Sequence, residues 1–229
     1  MKKVLVILVA LLCFVTTSFA CYEPSDYSGS LTSGNGLTGT ANWSTCTSFS
    51  WDVTYYNQYD LWVYNYTLSV PRKDISHVIV EVSDNFTESN VFTNTPVGST
   101  TSNWSIATAD ESTPSAPYIP DFIRGIKFEV CNKTLFQFKI VTDRAPVWGD
   151  FYAKDGIAKG TWVTVYNTGF GNPDTDPYLN LPTNGSLNFH ILRPDSVTGN
   201  ASTSVPEPAT LILMMASIIG LLSRKLKNC

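Results

Sequence analysis

From about residue 34 to residue 193, apolar and polar side chains alternate with a period of two rather than 3.6. Leu61, Val63 and Asn65 alternate with Trp62, Tyr64 and Tyr66; Val78, Val80 and Val82 alternate with Ile79 and Glu81. The same pattern recurs at 126–130, 136–140 and 187–191, where Phe and Ile alternate with Lys, Glu, Gln, Asn or His. Enrichment in β-branched and aromatic residues makes each run a strand. Further strands are predicted at 49–56, 104–108, 148–153 and 161–167. No window between the termini has the spacing of an amphipathic helix. Short strands separated by Gly, Pro and Asn predict an all-β body, an antiparallel β-sandwich of jelly-roll outline.

Composition sets the limits of that body. Residues 21–48 are rich in Ser, Thr, Gly and Asn and read as a loosely attached leader carrying at most one strand. The sandwich is expected over 49–193, with a long proline-rich loop at 110–121 and a flexible stalk at 194–204. Aromatics make up 13% of the chain and charged residues 15%, the reverse of a disordered composition. The formal charge of −4 hides an asymmetry, because basic residues gather at both ends. Residues 21–205 hold 10 Lys and Arg against 18 Asp and Glu, a net of −8. An acidic body repels phosphate backbones, so nucleic acid is excluded as a partner.

The ends read as addresses. Lys2 and Lys3 precede an apolar run from Val4 to Val15, and Ser18 and Ala20 supply small residues before a cleavage after Ala20. This is the pattern of a secretory signal peptide over 1–20, cut by signal peptidase. At the other end, Val205-Pro206-Glu207-Pro208 precedes an apolar run from Ala209 to Leu222, followed by Arg224, Lys225 and Lys227. As a helix, residues 209–222 reach about 21 Å, a marginal span of a ~30 Å hydrocarbon core. The basic cluster would stay in the cytoplasm and the body outside.

Residues 205–229 resemble the PEP-CTERM sorting signal of Gram-negative bacteria. Pro206, Glu207 and Pro208 match its tripeptide, 209–222 its single transmembrane helix, and Arg224, Lys225 and Lys227 its basic stop. The resemblance implies an exosortase as partner, a membrane-embedded protease of the transpeptidase type that cuts near the motif. It implies a precursor anchored in the inner membrane and a mature product at the cell surface or in the extracellular matrix. A plain tail-anchored periplasmic protein is the alternative at this point.

Candidate chemistry in the body is sparse. Cys21, Cys46 and Cys131 remain after removal of both ends, and an oxidising compartment favours pairing Cys46 with Cys131 or with Cys21. Only two histidines occur: His77 before a strand, and His190 on a polar-out position, both expected as ordinary surface or hydrogen-bonding residues. Asp143, Asp150, Asp155, Asp174 and Asp176 could supply the facing carboxylates of a glycoside hydrolase. Asn172, Asp174 and Asp176, at spacing two within 167–177, offer hard oxygen ligands to Ca²⁺, or else satisfy backbone N–H groups of a turn. No other cofactor is implied. Of six tryptophans, at least four are expected in the core; Trp148 and Trp162, each beside a glycine, are expected near a rim where an aromatic face stacks on a sugar. Seven Asn-x-Ser/Thr matches reflect the abundance of those residues. The expected function is a non-enzymatic surface or matrix protein contacting extracellular polysaccharide; a carbohydrate-active hydrolase is the alternative.

Overall fold

A computed structural model of the protein describes residues 27–171 and 186–198. Twelve strands are found there: β1 (Ser28–Ser33), β2 (Gly36–Gly39), β3 (Ser48–Tyr56), β4 (Leu61–Ser69), β5 (His77–Glu81), β6 (Trp104–Ala109), β7 (Ile123–Glu129), β8 (Leu135–Thr142), β9 (Arg144–Gly149), β10 (Phe151–Ala158), β11 (Thr161–Asn167) and β12 (Ile191–Thr198). The body is all-β. Ten strands form one sheet in the order β6-β7-β5-β10-β11-β2-β1-β3-β4-β8, and β9 pairs with β12 in a separate ribbon. Every pairing is antiparallel except the short one between β1 and β2. In place of two separately paired sheets, one sheet curls until its halves face each other.

The alternation explains the curl. Phe49, Trp51 and Val53 of β3 stand level with Leu68, Tyr66 and Tyr64 of β4, and these with Phe136, Phe138 and Ile140 of β8. All are buried, as are Val78 and Val80, Ile126 and Phe128, Phe151 and Ala153, and Val163 and Val165 on the other half. The two halves close on aromatic contacts: Phe49 stacks on Phe151 with ring centroids 3.9 Å apart, and Phe128 meets Phe138 at 4.9 Å. Such pairs add about 0.5–1.5 kcal/mol each beyond the area they bury. The outer edge of β8 is covered by the segment 91–101. Phe92 N donates to Val141 O at 2.9 Å, Thr101 N to Lys139 O at 2.9 Å, and Val141 N to Thr100 Oγ1 at 2.9 Å. An exposed row of unpaired amides is thereby removed.

Three expectations about boundaries need correction. The Ser/Thr/Gly-rich leader is part of the fold: it supplies β1 and β2 and buries Tyr27, Leu31, Leu37 and Trp43. The strand at 148–153 is two strands broken at Asp150, whose carboxylate is engaged inside the protein. The strand at 187–191 begins only at Ile191, because Asn188 and Phe189 are left-handed (φ 48° and 64°), and it runs on to Thr198, through the start of the expected stalk. The signal peptide and the segment 209–222 lie outside the described residues; among the described residues no helix is long and apolar enough to cross a membrane.

Candidate functional site

The two halves of the sheet differ on their outer surface. On β1, β3, β4 and β8 the outward positions carry hydroxyls and amides. Ser28, Asp52, Asn65 and Lys139 form one row across the four strands, and Ser30, Ser50, Thr67 and Gln137 the next. Asp52 is held at the far side by Ser28, whose Oγ donates to Oδ2 at 2.7 Å. Beside β8, the covering segment rises as a wall, so that Asn65, Thr67, Gln137 and Lys139 with Ser99 and Thr101 line an open groove of about 380 Å³. Lys139 N donates to Thr101 Oγ1 at 2.9 Å, fixing the wall to the floor. Lys139 is the only charged residue of the lining. Amides and hydroxyls both donate and accept, so the groove can exchange its water for a polyhydroxyl ligand.

On the other half the outward Ile79 and Tyr152 are apolar and covered, with Ser105, Lys127, Glu129 and Lys154 as polar positions beside them. Ile79 and Tyr152 pack with Ala109, Ala116, Ile119 and Ile123 into a second core under the proline-rich loop. Tyr152 Oη donates to Pro117 O at 2.7 Å, and burial pushes this phenol well above its ordinary value. Asp110 starts the loop, accepting from Ser112 Oγ at 2.6 Å and Thr113 Oγ1 at 3.0 Å; these bonds hold its carboxyl below the ordinary range. His77 is not at the surface but buried on this half beside Tyr152. Burial first, then Lys127 and Lys154, push its pKa down to about 3, so the imidazole is neutral.

The residues nominated from the sequence do not converge. Trp148 is only 1% exposed and packs edge-on against Trp51 with centroids 6.4 Å apart, so it offers no face to a sugar. The glycine beside it serves burial instead: a side chain at Gly149 would collide with Arg193 and Glu81. Trp162 is half-buried, with Lys154 Nζ 4.7 Å from its ring centroid. Trp43, Trp51 and Trp62 are in the core as expected, and Trp148 joins them in place of the half-buried Trp104. Asp143 meets Arg144 Nε at 3.6 Å, Asp155 accepts from Ser76 at 3.0 Å, and Asp150 is buried with different partners, so these three share no cleft. Cys46 and Cys131 are exposed and unbridged, which removes that pairing; Cys21 lies outside the described residues. Asn172, Asp174, Asp176, Pro206, Glu207, Pro208, Arg224, Lys225 and Lys227 also lie outside them. Among the described residues no three metal-ligating side chains gather.

What the pattern missed is a polar knot at the joint of β9 and β10. Asp150 Oδ1 accepts from Asn167 Nδ2 at 2.6 Å and lies 3.0 Å from His190 Nδ1, while Oδ2 accepts from Gly171 N at 2.9 Å. Asn167 Oδ1 accepts in turn from Phe151 N at 2.9 Å. Glu81 Oε2 accepts from Asp150 N at 2.8 Å, and its Oε1 pairs with Arg193 Nη2 at 3.4 Å. The knot fastens β5, β10, β11 and β12 around a break in the ladder. A buried polar side chain is tolerated only when bonded, and each residue of the knot has at least one such partner. His190 was expected outside because its strand was expected four residues too early; in the turn before β12 it points inward.

The described body is thus all-β, with an open polar face over β4 and β8. A family model for the PEP-CTERM protein-sorting motif matches residues 204–226, six residues beyond the end of β12. The chain carries this motif at the position read from Pro206-Glu207-Pro208, and the motif marks it as an exported protein, made as a membrane-anchored precursor and sorted by an exosortase. No curated protein and no solved structure matches the chain.

Proposed function

We propose that this protein is a non-enzymatic surface or matrix component whose β-body contacts extracellular polysaccharide through the groove between β4, β8 and the segment 99–101. The observation that carries this reading is the contrast between faces: on one half a loop covers the apolar patch around Ile79 and Tyr152, while the other presents ordered rows of hydroxyl and amide groups left open by the described residues. The acidic body disfavours an anionic polymer, and apart from Lys139 the lining is uncharged, so the ligand is a neutral glycan lying across the strands. Exosortase processing delivers the body to where such polymers are.

The test has two arms. The purified protein, applied to an array of neutral and acidic polysaccharides, is expected to retain neutral glycans; retention of none overturns the glycan reading. In the native host, replacing Pro206, Glu207 and Pro208 with alanine is expected to hold the precursor in the inner membrane. Normal release of that variant overturns the part played by the motif.

A further inference from the structure

The folded body has two ends, and only one can face the membrane. Thr198, the last residue of β12, pairs with Arg144 of β9. Arg144 follows directly on β8, whose last residue Thr142 pairs with Trp62, and Trp62 pairs with Tyr55. The chain therefore leaves the described body at the end that carries the β3–β4 hairpin tip. Tyr64 Oη, donating to Arg144 O at 2.8 Å, locks the two together.

That tip is aromatic and exposed. Tyr56 is 41% and Tyr59 39% exposed, on either side of Asn57 and Gln58. Tyr59 N donates to Tyr56 O at 3.0 Å, and Tyr55 Oη donates to Asp60 Oδ1 at 2.7 Å, so the turn is held in shape. At the opposite end, the loop after β4 exposes Pro71, Arg72, Lys73 and Asp74, with no aromatic side chain. From Thr198 to Ala209, where the apolar run begins, there are eleven steps of chain, at most about 38 Å fully extended. A tether of that length keeps the tip at high effective concentration at the bilayer surface, where a weak contact becomes intramolecular. Tyrosine suits that layer, because its ring is apolar and its hydroxyl wet.

We propose that, in the membrane-held precursor, the Tyr56–Tyr59 tip rests on the lipid headgroup layer and sets the body end-on above the sorting motif. The proposal rests on the exosortase-sorted precursor described above. Asp60, Glu88 and Asp143 lie at the same end, with Arg144 beside Asp143, so the surface that suits the tip is zwitterionic rather than anionic.

The test uses the full chain, deuterated and ¹⁵N-labelled, in nanodiscs of phosphatidylcholine and phosphatidylethanolamine. Lipids with a gadolinium chelate on the headgroup are expected to broaden the amides of Asn57 and Gln58 at least about fivefold more than those of Lys73 and Asp74, on the distance dependence of a tethered contact. Y56S with Y59S is expected to remove that difference while the rest of the spectrum is unchanged. Equal broadening at both ends, or a tip effect that survives both substitutions, overturns the proposal. Adding phosphatidylglycerol is expected to weaken the tip effect; a stronger effect overturns the choice of a zwitterionic surface. Nitroxides on the acyl chains report residues 209–222 in the same sample. If these are broadened and the tip is not, the end-on docking alone fails. If they are not, the anchored precursor fails and the docking with it.

Discussion

The two outer faces of one sheet have been treated in opposite ways. Over β5, β7 and β10, the outward positions Ile79 and Tyr152 are apolar, and the loop at 110–122 lies on them as a second layer. Over β3, β4 and β8, the equivalent positions are Ser50, Asp52, Asn65, Thr67, Gln137 and Lys139, and none of the described residues covers the middle of that face. A sheet face that is apolar must be covered, so its residues report on stability; a face that stays polar and open is free to serve a partner. The proposed glycan contact rests on that difference rather than on any catalytic motif.

The largest expected effect breaks the covered half. Tyr152 is fully buried and its hydroxyl clamps the loop, so Tyr152→Ala loses both an aromatic side chain and the bond to Pro117. A cost of about 3–5 kcal/mol is expected in urea unfolding. Thr67→Ala, on the open half, is expected to change stability by no more than about 0.5 kcal/mol. Similar costs for the two would abolish the distinction between the faces.

A smaller effect on the same half depends on pH. His77 is neutral when folded, with a pKa of about 3 against an ordinary value of 6.5. Between those values the unfolded chain takes up a proton that the folded one refuses, so stability falls as pH falls below 6.5. The slope approaches about 1.4 kcal/mol per pH unit, or roughly 2 kcal/mol by pH 5. His77→Phe keeps a ring beside Tyr152 and removes this titration. The difference in unfolding free energy between variant and wild type is therefore expected to grow on acidification; a constant difference from pH 7 to pH 5 would show that the imidazole is not shut in.

How much of this was legible beforehand depends on the kind of signal. Strands β3, β4, β5, β7, β8 and β11 followed from local alternation, because period two is a property of each strand by itself. Which face of β4 points inward was not legible: both sets are largely apolar, and only the structure shows Trp62, Tyr64 and Tyr66 in the main core. Leu61 and Val63 break polar-out alternation, since they meet Val141 under Phe92 and Val97, a cover contributed by a distant segment. The Asp150 knot was not legible: its members come from four strands, and an isolated Asp or His carries no mark of a partner tens of residues away. Trp148 was misplaced for a related reason. A glycine neighbour suggests a rim, but Gly149 is small because Arg193 and Glu81 need the space. The sorting motif was legible in full, being a linear signal read as sequence by its enzyme.

The smallest expected effect sharpens the open face. Gln137 and Asn65 lie in neighbouring rows of the groove, with exposed amides that take no part in the core. Each amide can form one or two hydrogen bonds with a glycan hydroxyl, and in exchange for water each bond is worth about 1 kcal/mol. Gln137→Ala or Asn65→Ala is therefore expected to weaken glycan binding only about fivefold, by calorimetric titration with the polysaccharide retained on the array. Neither should shift the unfolding midpoint, because neither residue packs against anything that the fold needs. Ser105→Ala, an exposed hydroxyl on β6 of the other half, should leave both binding and stability unchanged. If Ser105→Ala weakens binding as much as Gln137→Ala does, the ligand does not use the groove, and openness alone has been mistaken for recognition.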